Sequence, residues 1–235
     1  MQPSPAPPRL RRAYFECRHG QLHVHNAIPS GGGFDELTTL VCLHASSGTG
    51  RAFLEVSKLL GASRSVYSPD IPGCGESDPP PGPLSVAAYA EAIGDFLDSM
   101  RFRQVDLLGT HSGAAVAAEL AITREKQVRR VVMIGAPALD AAERRSYRDL
   151  SPPAGLSQGA AWARAAVIDW DADARLPQLK QPLLVLRPRD NFWEAGGRVS
   201  KLVPGARVVD LPDQDRSLLE KAPEVVARQV SGFLA

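Results

Sequence analysis

The chain has 235 residues, with 27 Lys or Arg against 26 Asp or Glu, which gives a formal net charge of +1 and a pI of about 7.8. This length suits a single domain that buries a substantial core. The balanced charge offers no electrostatic attraction for nucleic acid, and no apolar run reaches the roughly 20 residues that span a bilayer. We therefore expect a cytoplasmic protein that binds neither nucleic acid nor membrane.

The first twelve residues differ in composition from the rest of the chain. They contain four prolines and three arginines but no apolar stretch of the kind found in signal peptides or anchors. We expect a flexible N-terminal arm over residues 1–12 and a single domain over residues 13–235. The three cysteines, Cys17, Cys42 and Cys74, are odd in number and lack metal-ligand spacing. Neither a metal ion nor a cofactor is predicted.

Apolar strands alternate with helical patterns along the chain, which is typical of a mainly parallel sheet with helices on both faces. Strands are predicted at residues 14–17, 22–27, 40–43, 65–68, 105–108, 130–134, 183–187 and 207–210. Helices are predicted at residues 51–60, 86–101, 115–123, 197–202 and 223–234. The alternation stops at residues 138–181, where one or two helices are expected near 141–150 and 158–168. His23 and His25, on the second strand, are predicted to face solvent.

Residues 107–114 (Leu-Leu-Gly-Thr-His-Ser-Gly-Ala) join a strand to an alanine-rich helix. A sharp strand-to-helix turn needs small residues two positions before and two positions after its central residue. Gly109 and Gly113 meet this requirement for His111. Centring the turn on Ser112 would place the β-branched Thr110 in a crowded position that suits it badly. The spacing therefore favours His111 at the turn, with Ser112 as the alternative.

Two other segments follow strands in the same way. Residues 44–48 (His-Ala-Ser-Ser-Gly) and residues 70–77 (Asp-Ile-Pro-Gly-Cys-Gly-Glu-Ser) end the strands at 40–43 and 65–68. Together with the turn at His111, they resemble the α/β-hydrolase superfamily over residues 14–235. The turn resembles its nucleophile elbow, and residues 44–48 resemble its His-Gly oxyanion loop, with Ala45 in place of glycine. The resemblance implies the α/β-hydrolase fold, a mainly parallel doubly wound sheet with a small cap insertion at about 138–181.

Hydrolases of this family use a nucleophile, a histidine base and a carboxylate that orients the base. The resemblance puts Asp190, after the strand at 183–187, in the position of the acid. An ungapped alignment through Pro223 puts Arg216 where the family has its histidine, and no histidine follows His111. Arginine cannot act as a base at neutral pH. The triad is therefore degenerate, and the usual Ser-His-Asp relay cannot form.

Asp190 and Arg216 have two interpretations. They could form a partly buried ion pair that replaces the family's Asp–His hydrogen bond. Alternatively, Arg216, with Arg187 or Arg189, could bind a substrate carboxylate through bidentate contacts. Ala45 and Trp193 are further candidates for contact with the substrate.

The catalytic candidates are His111, Ser112, Asp190 and His44. The resemblance implies that the backbone N–H groups of Ser46 and Ser112 form an oxyanion hole. His44 has an alternative role, which is to hydrogen-bond the backbone of its own loop. A metal site at His44 and His111 would lack a third ligand.

Three functions fit these residues. The preferred one is hydrolysis of an ester or C–C bond in a small-molecule substrate, at a non-standard site centred on His111. The second is a catalytically inactive relative that binds a ligand, and the third is a lyase or cofactor-free oxygenase on the same fold. The fold alone does not choose among them, and the sequence leaves a homodimer open.

Overall fold

The computed structural model describes residues 6–31, 37–152 and 154–235. Within them, eight strands form one sheet in the order β1-β2-β4-β3-β5-β6-β7-β8. The strands are β1 (Arg9–Cys17), β2 (Gly20–Ile28), β3 (Leu37–Leu43), β4 (Arg64–Pro69), β5 (Val105–Thr110), β6 (Val128–Ile134), β7 (Leu183–Pro188) and β8 (Arg207–Leu211). β2 is antiparallel to both of its neighbours, and the other pairs are parallel. The predicted fold class is confirmed.

The helices follow the predicted alternation. They are α1 (Leu54–Leu60), α2 (Val86–Ser99), α3 (Ser112–Thr123), α4 (Ala141–Asp149), α5 (Gln158–Asp169), α6 (Ala172–Arg175), α7 (Trp193–Gly197), α8 (Val199–Leu202), α9 (Leu218–Lys221) and α10 (Pro223–Leu234), with short 3₁₀ turns at Gly50–Phe53 and Leu176–Gln178. The two helices expected between residues 138 and 181 coincide with α4 and α5. None of the helices in the described ranges is long and apolar enough to cross a membrane.

The sheet separates two apolar clusters, because successive residues of a strand point to opposite faces. In β3, Val41 packs in the cluster that includes α2 and α3, and Cys42 packs in the cluster that includes α1 and α10. Both side chains are fully buried. Burial on both faces explains why the central strands are continuous apolar runs in the sequence.

The first strand starts earlier than the sequence indicates. β1 begins at Arg9, and Arg12 pairs with His25 across the hairpin. The prediction of a flexible arm over residues 1–12 is therefore wrong for residues 9–12, while residues 1–5 lie outside the described residues. The side chains of residues 9–12 are exposed, so backbone hydrogen bonds rather than apolar packing hold this part of the strand. Such a segment has no apolar pattern from which a strand could be predicted.

Candidate active site

His111 occupies the turn between β5 and α3, and Ser112 is the first residue of the helix. The backbone of His111 has φ 48° and ψ −114°, a conformation that residues with a side chain rarely adopt. The flanking glycines permit the close approach of the chain. A Cβ atom on Gly109 would lie 2.3 Å from the carbonyl oxygen of Gly113, and one on Gly113 would lie 2.1 Å from that of Leu43.

The ring of His111 lies against the carboxylate of Asp190, which follows β7. The distance from His111 Nε2 to Asp190 Oδ2 is 2.9 Å. The Asp190 side chain is 2% exposed and that of His111 is 22% exposed, while the backbone N–H of Phe192 donates to Asp190 Oδ1 at 2.8 Å. Because a carboxylate only accepts hydrogen bonds, Nε2 carries the proton in the neutral ring, and Nδ1 is left as an acceptor.

Gly135, directly after β6, makes the contact between His111 and Asp190 sterically possible. β6 lies between β5 and β7 in the sheet, so the histidine must reach across its end. Gly135 has φ 59°, and a Cβ atom there would lie 2.5 Å from Asp190 Oδ2 and 2.9 Å from His111 Nε2. The ring of Phe192 also contacts the imidazole, with its centroid 5.5 Å from that of His111. The imidazole therefore lies against both a glycine and an aromatic ring.

The predicted ion pair between Asp190 and Arg216 is wrong. Both oxygens of Asp190 are engaged by His111 and Phe192, and Arg216 has no hydrogen bond or ion pair within the described part of the chain. Arg216 does line the pocket that contains His111. The sequence missed the partner of Asp190 because the alignment sought the histidine in the C-terminal loop, at Arg216, whereas the turn after β5 supplies it.

The residues expected to form an oxyanion hole lie together, but their donors are not both free. The backbone N–H of Ser46 donates to the hydroxyl oxygen of Ser112 at 2.5 Å. Ser112 is 5% exposed. An oxyanion at this position would have to displace the serine hydroxyl from the Ser46 N–H.

The prediction of a catalytic role for His44 is wrong. Its Nδ1 lies 2.7 Å from the carbonyl oxygen of Ala45, and the N–H of Ile71 donates to its Nε2 at 2.9 Å. One partner only accepts and the other only donates, so the ring is neutral with its proton on Nδ1. Complete burial lowers the pKa of His44. His44 therefore has its alternative, structural role: its hydrogen bonds connect its own loop to the loop after β4.

A pocket of about 350 Å³ opens beside His111. Its polar lining includes His111, Ser112, Asp190, Arg164 and Arg216. Its apolar wall is formed by Leu139, Leu150, Leu156, Val167, Ile168 and Phe192. Arg164 donates to the carbonyl oxygen of Tyr147 at 3.3 Å, and within the described residues neither arginine has a carboxylate partner. A second pocket, of about 250 Å³, is also lined by His111 and Arg216, so these two side chains border both spaces.

The candidates for substrate contact are only partly placed at this pocket. Ala45 lines it, whereas Trp193 is not among its lining residues. The indole of Trp193 lies under the guanidinium of Arg187, which is 4.4 Å from the ring centroid. Arg187 also donates to Asp210 at 2.6 Å. Arg187, the arginine expected to help Arg216, thus covers the indole, and contact between Trp193 and substrate stays a prediction.

Several lining residues, among them Tyr147, Arg164 and Phe192, were not identified from the sequence. Tyr147 lies on α4, and its hydroxyl donates to the carbonyl oxygen of Asn191 at 2.9 Å. Arg164 lies on α5, and Phe192 follows Asp190 by two positions. Periodicity predicted both helices, but it does not indicate which of their faces meets the turn after β5.

Comparisons with known proteins agree with the fold. A family model described as the alpha/beta hydrolase fold matches residues 38–186, more than half of the chain. An uncharacterised protein of Mycobacterium tuberculosis is 27% identical over 150 residues, which are 64% of this chain and 41% of that protein. A 2-hydroxymuconate semialdehyde hydrolase of Pseudomonas sp. strain CF600 is 32% identical over 114 residues, 47% of this chain and 39% of that enzyme. The matches thus span about two fifths of these curated relatives.

Among solved structures, the enol-lactonase from Burkholderia xenovorans LB400 is similar, with a TM-score of 0.80. The superposition covers 94% of this chain and 99% of the lactonase at 17% sequence identity. At this identity, the likeness establishes the fold and leaves the chemistry to be argued from the site.

Proposed function

Because the chain belongs to the α/β-hydrolase fold family, we propose that it hydrolyses a small carboxylate-bearing substrate at an ester or a C–C bond next to a carbonyl group. The observation that carries this proposal is the 2.9 Å contact between His111 Nε2 and Asp190 Oδ2. It joins a histidine and a buried carboxylate at the mouth of a pocket, the pairing that general-base catalysis requires. The segment with α4 and α5 acts as a small cap over this pocket.

His111 activates water in this proposal. Its Nδ1 takes a proton from a water molecule as the water oxygen attacks the substrate carbonyl carbon, which forms a tetrahedral oxyanion. Asp190 holds the ring and stabilises the imidazolium that results. The imidazolium then returns the proton to the departing alkoxide or enolate as the bond to the carbonyl carbon breaks. No acyl group is transferred to the protein.

Ser112 controls access to the oxyanion site. Its hydroxyl accepts the Ser46 N–H at rest, and it must rotate away before the backbone N–H groups of Ser46 and Ser112 can stabilise the oxyanion. The same contact supports a second candidate function, ligand binding without turnover, because a hole occupied by the protein's own hydroxyl is not preorganised.

Arg164 and Arg216 define the substrate class. Both line the pocket, and a guanidinium without a carboxylate partner there is suited to a carboxylate on the substrate. The name of one relative agrees with this proposal, since 2-hydroxymuconate semialdehyde carries a carboxylate.

The test is turnover of a panel of aryl esters, enol-lactones and β-diketones, each with and without a carboxylate. We expect H111A to lose the activity and S112A to keep it, because water rather than Ser112 is the nucleophile and removing the hydroxyl frees the Ser46 N–H. An organophosphonate should not label Ser112. Loss of activity in S112A together with a Ser112 adduct would establish a serine hydrolase instead.

The carboxylate preference has its own control. R216Q should raise KM at least about tenfold for a carboxylate-bearing ester and leave KM for the matched neutral ester unchanged. Equal effects on both esters would refute the assignment of Arg216 to the carboxylate. If wild type and H111A bind panel compounds equally and turn over none, the second function replaces the first.

A further inference from the structure

A third pocket, of about 340 Å³, lies between the β1–β2 hairpin and the segment that leads into α1. We call it the arginine pocket, and its charged and apolar lining consists of Arg11, Arg12, Arg51, His25, Leu10 and Leu54. Among the described residues, it shares no lining residue with the pocket beside His111. We propose that the arginine pocket binds a small organic phosphate.

The pocket concentrates positive charge without compensation. Its lining includes three arginines and no carboxylate among the described residues. The side chains of Arg12 and Arg51 have no hydrogen bond or ion pair within the part of the chain that the structure describes. Arg18, by contrast, follows β1 and forms a 2.8 Å ion pair with Asp95. Arg11 and Arg12 also border a neighbouring pocket that Glu76 lines, but within the arginine pocket itself an anion would be the first countercharge.

His25 lines the same pocket as Arg12 and Arg51. The pKa of His25 is lowered, first by burial and next by the neighbouring His23, and both guanidiniums lower it further while Asp70 raises it. Charges from β1 and from the turn before α1 therefore act on the same ring. The prediction that His25 faces solvent is wrong, because the side chain is half-buried and lines this pocket.

The ring of His25 has a fixed position. Its centroid lies 4.7 Å from that of His23, and His23 Nδ1 lies 3.0 Å from a carboxylate oxygen of the buried Asp70. His23 is itself 2% exposed, so the prediction that it faces solvent is also wrong. A neutral His25 held in this way can hydrogen-bond a ligand without adding to the charge of the pocket.

The ligand class follows from charge and shape. Two planar guanidiniums on different elements match an anion with several oxygens, and a phosphate monoester carries about −1.5 to −2 charges at pH 7, which balances Arg12 and Arg51. Leu10 is 43% exposed, and with Leu54 it gives the pocket an apolar wall. That wall suits an organic group attached to the phosphate rather than a free ion.

Calorimetric titration with phenyl phosphate tests the proposal, with benzoate as the carboxylate control. We expect phenyl phosphate to bind wild type and R103Q equally, since Arg103 is an exposed arginine outside the arginine pocket. R12Q and R51Q should each raise Kd at least about tenfold, and benzoate should bind at least about tenfold more weakly than phenyl phosphate. Equal Kd values in all four proteins, an equal loss in R103Q, or benzoate binding as tight as that of phenyl phosphate would overturn the proposal.

Two further readouts separate this pocket from the site at His111. R216Q should bind phenyl phosphate like wild type, so that loss of the anion contact at the His111 site and loss of phosphate binding are distinct outcomes. In proton NMR titrations, saturating phenyl phosphate should raise the pKa of His25. The negative charge of the phosphate stabilises the protonated ring, whereas Arg12, Arg51 and His23 destabilise it in the free protein. An unchanged His25 titration would place the ligand elsewhere.

Discussion

Gly135 is the residue on which the contact between His111 and Asp190 depends. Adding a methyl group there would place a carbon atom 2.5 Å from Asp190 Oδ2, well inside van der Waals contact, so one of the two side chains would have to move. The backbone at this position is also left-handed, with φ 59°. The steric clash and the left-handed backbone both disfavour any residue other than glycine at this position.

We predict that G135A lowers both activity and stability. The positive φ alone costs about 1–2 kcal/mol in unfolding free energy, and displacement of His111 should lower kcat on the order of a hundredfold. G205A is the matched control, because Gly205 has φ +90° but nothing within 4 Å of a Cβ atom. It should lose similar stability and keep its kcat, as measured by urea unfolding and steady-state kinetics. Wild-type kcat in G135A would show that the His111–Asp190 contact does not support catalysis.

The positions of the site residues could be predicted from sequence, but their pairing could not. The spacing of Gly109 and Gly113 pointed to His111 at the turn, and the strand pattern put Asp190 at the end of β7. Their contact depends on the sheet order and on the absence of a side chain at Gly135, and neither is visible as a local pattern. A family alignment then favoured Arg216, which has no bond to Asp190.

Among the structural elements, the strands were the most predictable. Burial on both faces gives β5 to β7 apolar central residues, and each strand from β4 to β7 was found to within three residues at either end. The helices α6, α7 and α9 contain four or five residues, which is little more than one turn and too short to establish a period. The exposed first half of β1 lacks an apolar pattern, because backbone hydrogen bonds rather than buried side chains hold it in the sheet.

Three central strands are linked at the amino-terminal end of the sheet by a buried carboxylate. Asp106, on β5, is fully buried, and it lies 3.4 Å from Arg64 on β4 and 2.7 Å from Arg129 on β6. Arg64 is itself 1% exposed. Arg129 also donates to the carbonyl oxygen of Leu234 at 2.6 Å, so the same cluster holds the end of α10.

We predict that D106N lowers the unfolding free energy by about 3–5 kcal/mol, because it leaves a buried guanidinium without its countercharge. D98N is the control, since Asp98 pairs with Arg124 while 55% of its side chain is exposed. It should lose less than about 1 kcal/mol. Under conditions where D106N is folded, its kcat should equal that of wild type, because the site lies at the opposite end of the strands. Equal stability in D106N and D98N would contradict this account.

For the whole molecule, buried histidines make stability depend on pH. Burial is the largest cause that lowers the pKa values of His44 and His25 from the ordinary 6.5. The unfolded chain therefore takes up protons on these rings at a higher pH than the folded chain does. Their contribution to stability is fully present above about pH 6.5 and is lost as the pH falls from there toward the lower pKa of the folded state.

We predict that unfolding free energy decreases below pH 6.5 by up to about 1.4 kcal/mol per pH unit for each such histidine. Urea unfolding of wild type, H44Q and H25Q from pH 8 to pH 5 measures this slope. Both variants should have shallower slopes than wild type. Only H44Q should be less stable at pH 8, since it removes the imidazole that hydrogen-bonds the N–H of Ile71 and the carbonyl oxygen of Ala45. Three parallel pH profiles would rule these histidines out as the cause.

The backbone conformation of His111 has an evolutionary consequence. With φ 48° and ψ −114°, this position would accept glycine at lower conformational energy than any residue with a side chain. Histidine at this position therefore lowers backbone stability, a cost that the proposed catalytic role would offset. A lineage with no use for the imidazole would drift toward glycine at this turn and become more stable as it did so.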